Sequence, residues 1–185
     1  MDLVTKQAQN NRKIPEAIFF ENIDELISKN SVQRLMESLQ EAYNKYKFME
    51  AQLVKQRESM QNKLPEIERA LSIVEHLEHQ KEDEVVDFLI TDTIYSKAVL
   101  PKENKTVALW LGANVMVEFE FNEAKGLLSY NKENASSNLR QFDEDIVFLK
   151  DQITTIEVNI ARVYNANIRI QQTQQQQLQQ QQQAK

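Results

Sequence analysis

The feature that most constrains this chain is a repeat of apolar residues between positions 135 and 170. Steps of alternately four and three residues land on eleven positions, of which ten are apolar. These positions are Ala135, Leu139, Phe142, Ile146, Leu149, Ile153, Ile156, Ile160, Val163, Asn167 and Ile170. One apolar residue every 3.5 positions keeps a continuous stripe against a partner helix. The chain must therefore supply or find a second helix.

A matching repeat lies earlier in the chain, after a cap formed by Asn30 and Gln33. It reads Val32, Leu35, Leu39, Ala42, Tyr46, Met49, Leu53, Gln56 and Met60, and after a slip at Leu64 it resumes at Ile67, Leu71 and Val74. Pro65 lies at the slip and removes one backbone donor. We expect a kink in one long helix there, with two separate helices as the alternative.

The composition between the two repeats changes to that of β-strands. Candidate strands, rich in Val, Ile, Leu, Phe and Thr, span 86–91, 94–100, 106–111 and 115–121. Turn-forming residues separate them at Asp92, at 101–104 and at 112–114. The third strand is apolar on both faces, which predicts burial on both.

The two ends of the chain carry weaker signals. Asn22 and Glu25 have the spacing of a capping box and predict a short helix, and residues 1–13 are expected to be disordered. Asn122 is a candidate cap of the returning helix, and residues 171–183 hold eleven glutamines in thirteen positions, which predicts a disordered tail. The predicted divisions are 1–29, 30–84, 85–121, 122–170 and 171–185.

Composition excludes several classes of function. The 22 basic and 28 acidic residues give a net charge of −6, which disfavours nucleic acid as a ligand. Two glycines leave no phosphate-binding loop. Residues 1–11 lack the apolar core of a signal peptide, and no apolar run approaches the roughly 20 residues of a membrane span. A cytoplasmic location is expected.

Catalytic and metal chemistry has little support in the sequence. His76 and His79 are three residues apart on a helix, where two imidazoles could share a metal, but their acidic neighbours favour a solvated helix face. The chain has no cysteine. With no other histidine available, neither a Ser-His-Asp nor a Cys-His set is plausible. We expect no enzymatic activity, no metal and no cofactor.

Two heptad helices that flank a strand-rich insert close most simply as an antiparallel pair. The predicted fold is therefore mainly α, a long antiparallel coiled coil with two β-hairpins between its helices. Isolated hairpins are marginal in water, so the apolar strand residues need covering. We predict that they assemble with other subunits: Val107, Leu109, Trp110, Leu111, Val115, Val117, Phe119 and Phe121.

Several runs resemble the prefoldin family, in particular its α-class subunits. They are LWLGANVMVE at 109–118, KFME at 47–50, LPEI at 64–67, DQITTIEVNIARVYN at 151–165 and IPEA at 14–17. The resemblance covers about residues 14–165, and WLGANVM is its most specific part. The glutamine-rich tail is not part of the family pattern.

The resemblance implies a subunit of a hetero-hexameric chaperone with a β-barrel body and protruding coiled coils. Such a complex captures unfolded actin and tubulin without ATP and passes them to the cytosolic chaperonin. The implied partners are a second α-class subunit, β-class subunits, unfolded actin or tubulin, and the chaperonin. The alternative is a coiled-coil scaffold or adaptor, or a prefoldin-like subunit of a nuclear assembly.

Client binding requires apolar groups that are not mutually buried, at the ends where the chain termini emerge. The candidates are Phe19, Phe20, Ile23, Ile168 and Ile170. Weak binding at several such tips gains through effective concentration. The alternative is that these side chains pack on their own coiled coil.

Overall fold

The structure, a computed structural model, describes residues 4–6 and 14–183, apart from the side chains of Lys29, Leu178 and residues 180–183. Three helices span α1 Ile23–Lys29, α2 Val32–Glu78 and α3 Phe121–Gln183. The strands are β1 Thr5–Lys6, β2 Glu16–Ala17, β3 Glu84–Thr91, β4 Ile94–Leu100, β5 Thr106–Gly112 and β6 Val115–Glu120. The predicted fold class is confirmed, because the chain consists mainly of two long helices with two antiparallel β-hairpins between them in sequence.

Helix α2 remains a single helix although it contains Pro65. A proline inside a helix removes one amide donor, and packing of the neighbouring turns compensates for that loss. Ile67, Ala70 and Leu71, which follow the proline, all pack against a buried cluster. The alternative of two separate helices is therefore wrong.

The chain forms two compact units. The first combines the chain up to Gln56 with the chain from Phe142 onward, and the second is Arg57–Gln141. Both contain parts of α2 and α3, and each has its own hydrophobic core.

The core of the first unit is built from the predicted heptad stripes. Its buried members are Leu35, Leu39, Ala42 and Tyr46 of α2, Leu149, Ile153, Ile156, Val163 and Ala166 of α3, and Val4, Ile14, Phe20 and Ile23. Leu39 and Ile156 are fully buried. Apolar residues repeated at this spacing lie along one side of a helix, which explains why the two stripes meet.

Part of the segment expected to be disordered is ordered. Thr5 pairs with Ala17 and Lys6 with Glu16 in an antiparallel sheet. The Ile18 amide donates to the Val4 carbonyl at 2.8 Å, and Val4 is buried in the core of the first unit. The prediction of disorder is wrong at 4–6 because Val4 has an apolar site to fill; the rest of residues 1–13 lies outside the described residues.

The second unit holds the ends of both long helices that adjoin the hairpins. Lys125 forms an ion pair with Glu78 at 2.5 Å, and Lys132 one with Glu68 at 3.1 Å. The later residue of α3 pairs with the earlier residue of α2, so the two helices run antiparallel in this unit. Their core residues are Val74, Ala124 and Leu128.

Each hairpin is a two-stranded antiparallel sheet of its own, β3 with β4 and β5 with β6. The β5–β6 turn has three consecutive residues at positive φ, namely Gly112 at 99°, Ala113 at 49° and Asn114 at 62°. Residues other than Gly, Asn and Asp rarely adopt this backbone conformation, so Gly112 and Asn114 suit the turn whereas Ala113 is strained in it.

Helix α3 continues through the glutamine-rich tail to Gln183, so the predicted disorder from residue 171 is not found in the described residues. Glutamine has a high helix propensity, and the segment contains neither glycine nor proline to end the helix. The side chains of residues 171–177 are exposed. The tail is thus a helical extension without a packed face in the part of the chain that is described.

Candidate functional site

The β5–β6 hairpin divides the eight predicted assembly residues into two sets. Val107, Leu109, Phe119 and Phe121 are partly buried against the core of the second unit. Trp110, Leu111, Val115 and Val117 are exposed, with 63% of the Trp110 surface accessible. Alternate strand residues point to opposite faces, so Val107 and Leu109 cover the helices while Trp110 faces away. The prediction that β5 is buried on both faces is therefore wrong for the chain by itself.

The β3–β4 hairpin adds an apolar surface that was not among the predicted assembly residues. Its exposed residues are Val85, Phe88, Leu89, Ile90, Ile94, Tyr95 and Val99. Among the described residues neither hairpin acquires a third strand. Unpaired edges and exposed apolar residues on one sheet are the properties of a surface that another chain covers.

A second candidate site lies on α3, beside the heptad stripe. Asp145, Gln152 and Asn159 recur every seven residues, and all three are buried. Asn159 has no exposed surface at all. We call these three residues the polar stripe. Buried polar groups require hydrogen-bond partners, so something must lie against this side of the helix.

The partner is residues 14–21, here called the docking segment. The Ala17 amide donates to Oε1 of Gln152 at 2.8 Å, and the Phe20 amide donates to Oδ1 of Asn159 at 3.1 Å. Nδ2 of Asn159 donates in turn to the Ile18 carbonyl at 2.7 Å. One buried amide thus satisfies two main-chain groups of the docking segment.

The spacing of these contacts follows from backbone geometry. Ala17 and Phe20 are three residues apart, and their partners Gln152 and Asn159 are seven apart. Three residues of an extended chain advance about 10 Å, and seven residues of an α-helix advance about 10.5 Å. Every third residue of an extended segment can therefore meet every seventh residue of the helix.

Arg162 and Tyr46 complete the site. The Arg162 guanidinium donates to the carbonyls of Phe20 at 2.5 Å and Glu21 at 3.2 Å, and its centre lies 4.9 Å from the centroid of the Phe19 ring. The Tyr46 hydroxyl donates to the Pro15 carbonyl at 2.8 Å. Burial, with a smaller contribution from the Glu16 carboxylate, raises the pKa of Tyr46 to about 12, so the phenol remains a donor.

The predicted client-binding tips are only partly exposed. Phe20 and Ile23 belong to the core of the first unit, with 3% and 8% of their surfaces accessible, so the prediction is corrected for both. They fill apolar space beside α3, as in the alternative that they pack on their own coiled coil. Phe19 is exposed, and Ile168 and Ile170 are partly buried.

Neither Gln152 nor Asn159 is predicted from the sequence as a site residue, although both lie in the 151–165 run that carries the family resemblance. Each stands immediately before an apolar stripe residue, Ile153 and Ile160. A polar residue that recurs every seven positions beside an apolar one is the available signal. It is easily mistaken for the solvated side of a coiled coil.

The histidines make local contacts. Nε2 of His76 lies 2.9 Å from a Glu84 carboxylate oxygen, and Nδ1 of His79 lies 2.8 Å from the Glu75 carbonyl. Within the described part of the chain no group of three metal-capable side chains is found. A search of the same residues finds no helix of the length and apolarity needed to cross a membrane.

Long paired helices joined by two apolar, open-edged hairpins define a subunit built to associate with other chains. Residues 46–166 match the family described as Prefoldin subunit. The chain is 41% identical over 162 residues to Prefoldin subunit 3 of Mus musculus and of Homo sapiens, covering 84% of this chain and 82% of each relative. Prefoldin subunit 3 of Drosophila melanogaster is 40% identical over 162 residues, covering 86% of this chain and 83% of the relative. The chain belongs to the prefoldin family, which confirms the resemblance seen in its motifs.

The fold has a counterpart among solved structures. A chain in the cryo-EM structure of filamentous PFD from Methanocaldococcus jannaschii superposes with a TM-score of 0.53 at 16% identity, covering 65% of this chain and 98% of that one. At this identity the similarity shows a shared fold. The family match includes Gln152, Asn159 and Arg162 but begins after the docking segment.

Proposed function

We propose that this prefoldin subunit works as an α-class member of a hetero-hexameric chaperone. The complex captures unfolded proteins of the actin and tubulin class without ATP and transfers them to the cytosolic chaperonin. The supporting observation is the apolar surface that the two hairpins leave uncovered, with Trp110 at 63% and Phe88 at 60% exposure. Location in the cytoplasm is part of the proposal.

Partner subunits cover the hairpins. Burying one large apolar side chain stabilises by roughly 1.5–3 kcal/mol, so the exposed hairpin residues together represent on the order of 10 kcal/mol. That is comparable with the stability of an entire domain. The proposed partners are a second α-class prefoldin subunit and β-class subunits, whose strands pair with the open edges.

Capture of a client requires apolar groups that remain accessible after assembly. Phe19 is 52% exposed on the docking segment, and Ile168 and Ile170 are partly accessible on α3. Weak contacts at several subunits hold one client firmly, because each contact raises the effective concentration of the next. Holding and release, with no bond made or broken, is the proposed activity.

Assembly is tested by Trp110→Ser in the chain mixed with its partner subunits. A tryptophan at the centre of an interface contributes enough that we expect assembly to weaken by at least about tenfold, measured by native mass spectrometry of the intact complex. Phe48→Ser is the matched control, since Phe48 is 64% exposed but lies on helix α2. Equal assembly of the Trp110 variant and the control would contradict the proposed interface.

Client capture is tested with chemically denatured actin diluted into buffer. The complete complex should suppress the light scattering of aggregating actin, and Ile170→Ser, which lies outside the docking segment, should weaken this suppression while leaving assembly intact. A complex that assembles but does not slow aggregation would indicate a scaffold or adaptor instead of a chaperone.

A further inference from the structure

The contacts that hold the docking segment are directed at its main chain. Gln152, Asn159, Arg162 and Tyr46 together make six hydrogen bonds to backbone groups of Pro15, Ala17, Ile18, Phe20 and Glu21. Backbone groups are common to all polypeptides, so these bonds do not depend on the sequence of the segment. Main-chain recognition of this kind provides affinity, and side-chain pockets provide selectivity.

The pockets are equally general. Ile14 and Phe20, six residues apart, are buried among the core residues of the first unit, whereas Glu16 between them is exposed. A segment that fits therefore presents two apolar side chains six residues apart and main-chain groups that are free to bond with the site. Unfolded proteins display many such segments, because roughly half of a typical sequence is apolar.

We propose that the polar stripe with Arg162 and Tyr46 is a binding site for extended apolar segments of unfolded polypeptides, which the docking segment occupies until a client displaces it. This inference rests on the proposed function, since it specifies how the chaperone holds its clients. The occupant is a stretch of client main chain in the position of residues 14–21.

Displacement is feasible only for certain ligands. The docking segment is part of the same chain, so its effective concentration at the site is of millimolar order, and a short free peptide competes poorly. An unfolded protein already held at neighbouring subunits has a comparable effective concentration. The site therefore selects long, multiply held clients over isolated peptides.

Hydrogen exchange measured by mass spectrometry tests the displacement in the assembled wild-type complex. Reduced, carboxymethylated α-lactalbumin, which stays unfolded without denaturant, serves as the client. The fragment that contains the Ala17 and Phe20 amides should be protected in the free complex and exchange at least about tenfold faster at saturating client. Fragments from α2 around Leu39 should keep their protection. Unchanged protection of the docking segment with client bound would overturn the inference.

Two variants separate competition from a purely structural role. Phe20→Ser weakens the docking segment but leaves the site intact, so client affinity should rise by at least about tenfold for the loss of a buried aromatic side chain. Asn159→Ala removes the same two hydrogen bonds from the docking segment and from a client in its place, so the apparent client affinity should change much less than in Phe20→Ser. The matched control Glu16→Ser replaces an exposed residue of the docking segment and should leave client affinity unchanged. Loss of affinity in both test variants would overturn the inference, whereas a wild-type complex that binds no client would refute the proposed function itself.

Discussion

The replacement of Asn159 by leucine separates two roles that this residue could have. Asn159 is fully buried, and its side chain bonds to the Phe20 amide and the Ile18 carbonyl. Leucine has nearly the same size but neither donor nor acceptor. The replacement therefore keeps the volume of the side chain and removes only its hydrogen bonds.

The expected magnitude follows from the groups left behind. A buried backbone group without a partner costs about 1–3 kcal/mol, so two such groups weaken attachment of the docking segment by about 2–6 kcal/mol. The helix pair itself should not suffer, because a polar residue in a coiled-coil core lowers its stability relative to an apolar one. Attachment of the segment and stability of the helices should thus change in opposite directions.

Two measurements on one sample distinguish these effects. Hydrogen exchange of residues 14–21 should accelerate in Asn159→Leu, while the thermal melting of helical circular dichroism should stay equal or rise. Asn165→Leu is the matched control, since it makes the same exchange on an exposed residue of α3. A lowered melting temperature with the docking segment still protected would refute the reasoning, because Asn159 would then support the helix pair and not the segment.

Two further predictions concern buried or strained positions. Because burial raises the pKa of Tyr46 to about 12, the contribution of its phenol to stability should be complete below pH 10 and lost as the pH rises through about 12. Absorbance of tyrosinate should show one late step, which Tyr46→Phe abolishes; a single step near pH 10 for all tyrosines would contradict this. Pro65→Ala should raise the melting temperature, because proline inside a helix is about 3 kcal/mol worse than alanine. An unchanged or lower melting temperature would show that the site favours proline.

The pairing of the two long helices could be predicted because it depends on apolar residues that repeat every 3.5 positions. Leu39 and Ile156 recur in apolar steps that only a helix with a partner requires, and both are fully buried. The docking segment could not be predicted in this way. It is extended and too short for a detectable alternation, and the residues that receive it are polar, so Asn159 has the sequence signature of a solvated position.

The pair Phe19–Phe20 shows a second limit of sequence reasoning. Neighbouring residues in an extended segment point to opposite sides, so one ring must face the helices and the other the solvent. Because the two residues are identical, the sequence does not indicate which ring is buried and which is exposed. The structure places Phe20 in the core of the first unit and leaves Phe19 exposed beneath Arg162.

The spacing of the docking-segment residues differs slightly from the spacing of their partners along α3. Three extended residues fall short of seven helical ones by about 0.5 Å, and this offset accumulates with each repeat. After three or four repeats it approaches 2 Å, more than the range of good hydrogen-bond lengths allows. Matched contact of this kind cannot extend over many repeats, and the observed contact covers a single one, from Ala17 at Gln152 to Phe20 at Asn159.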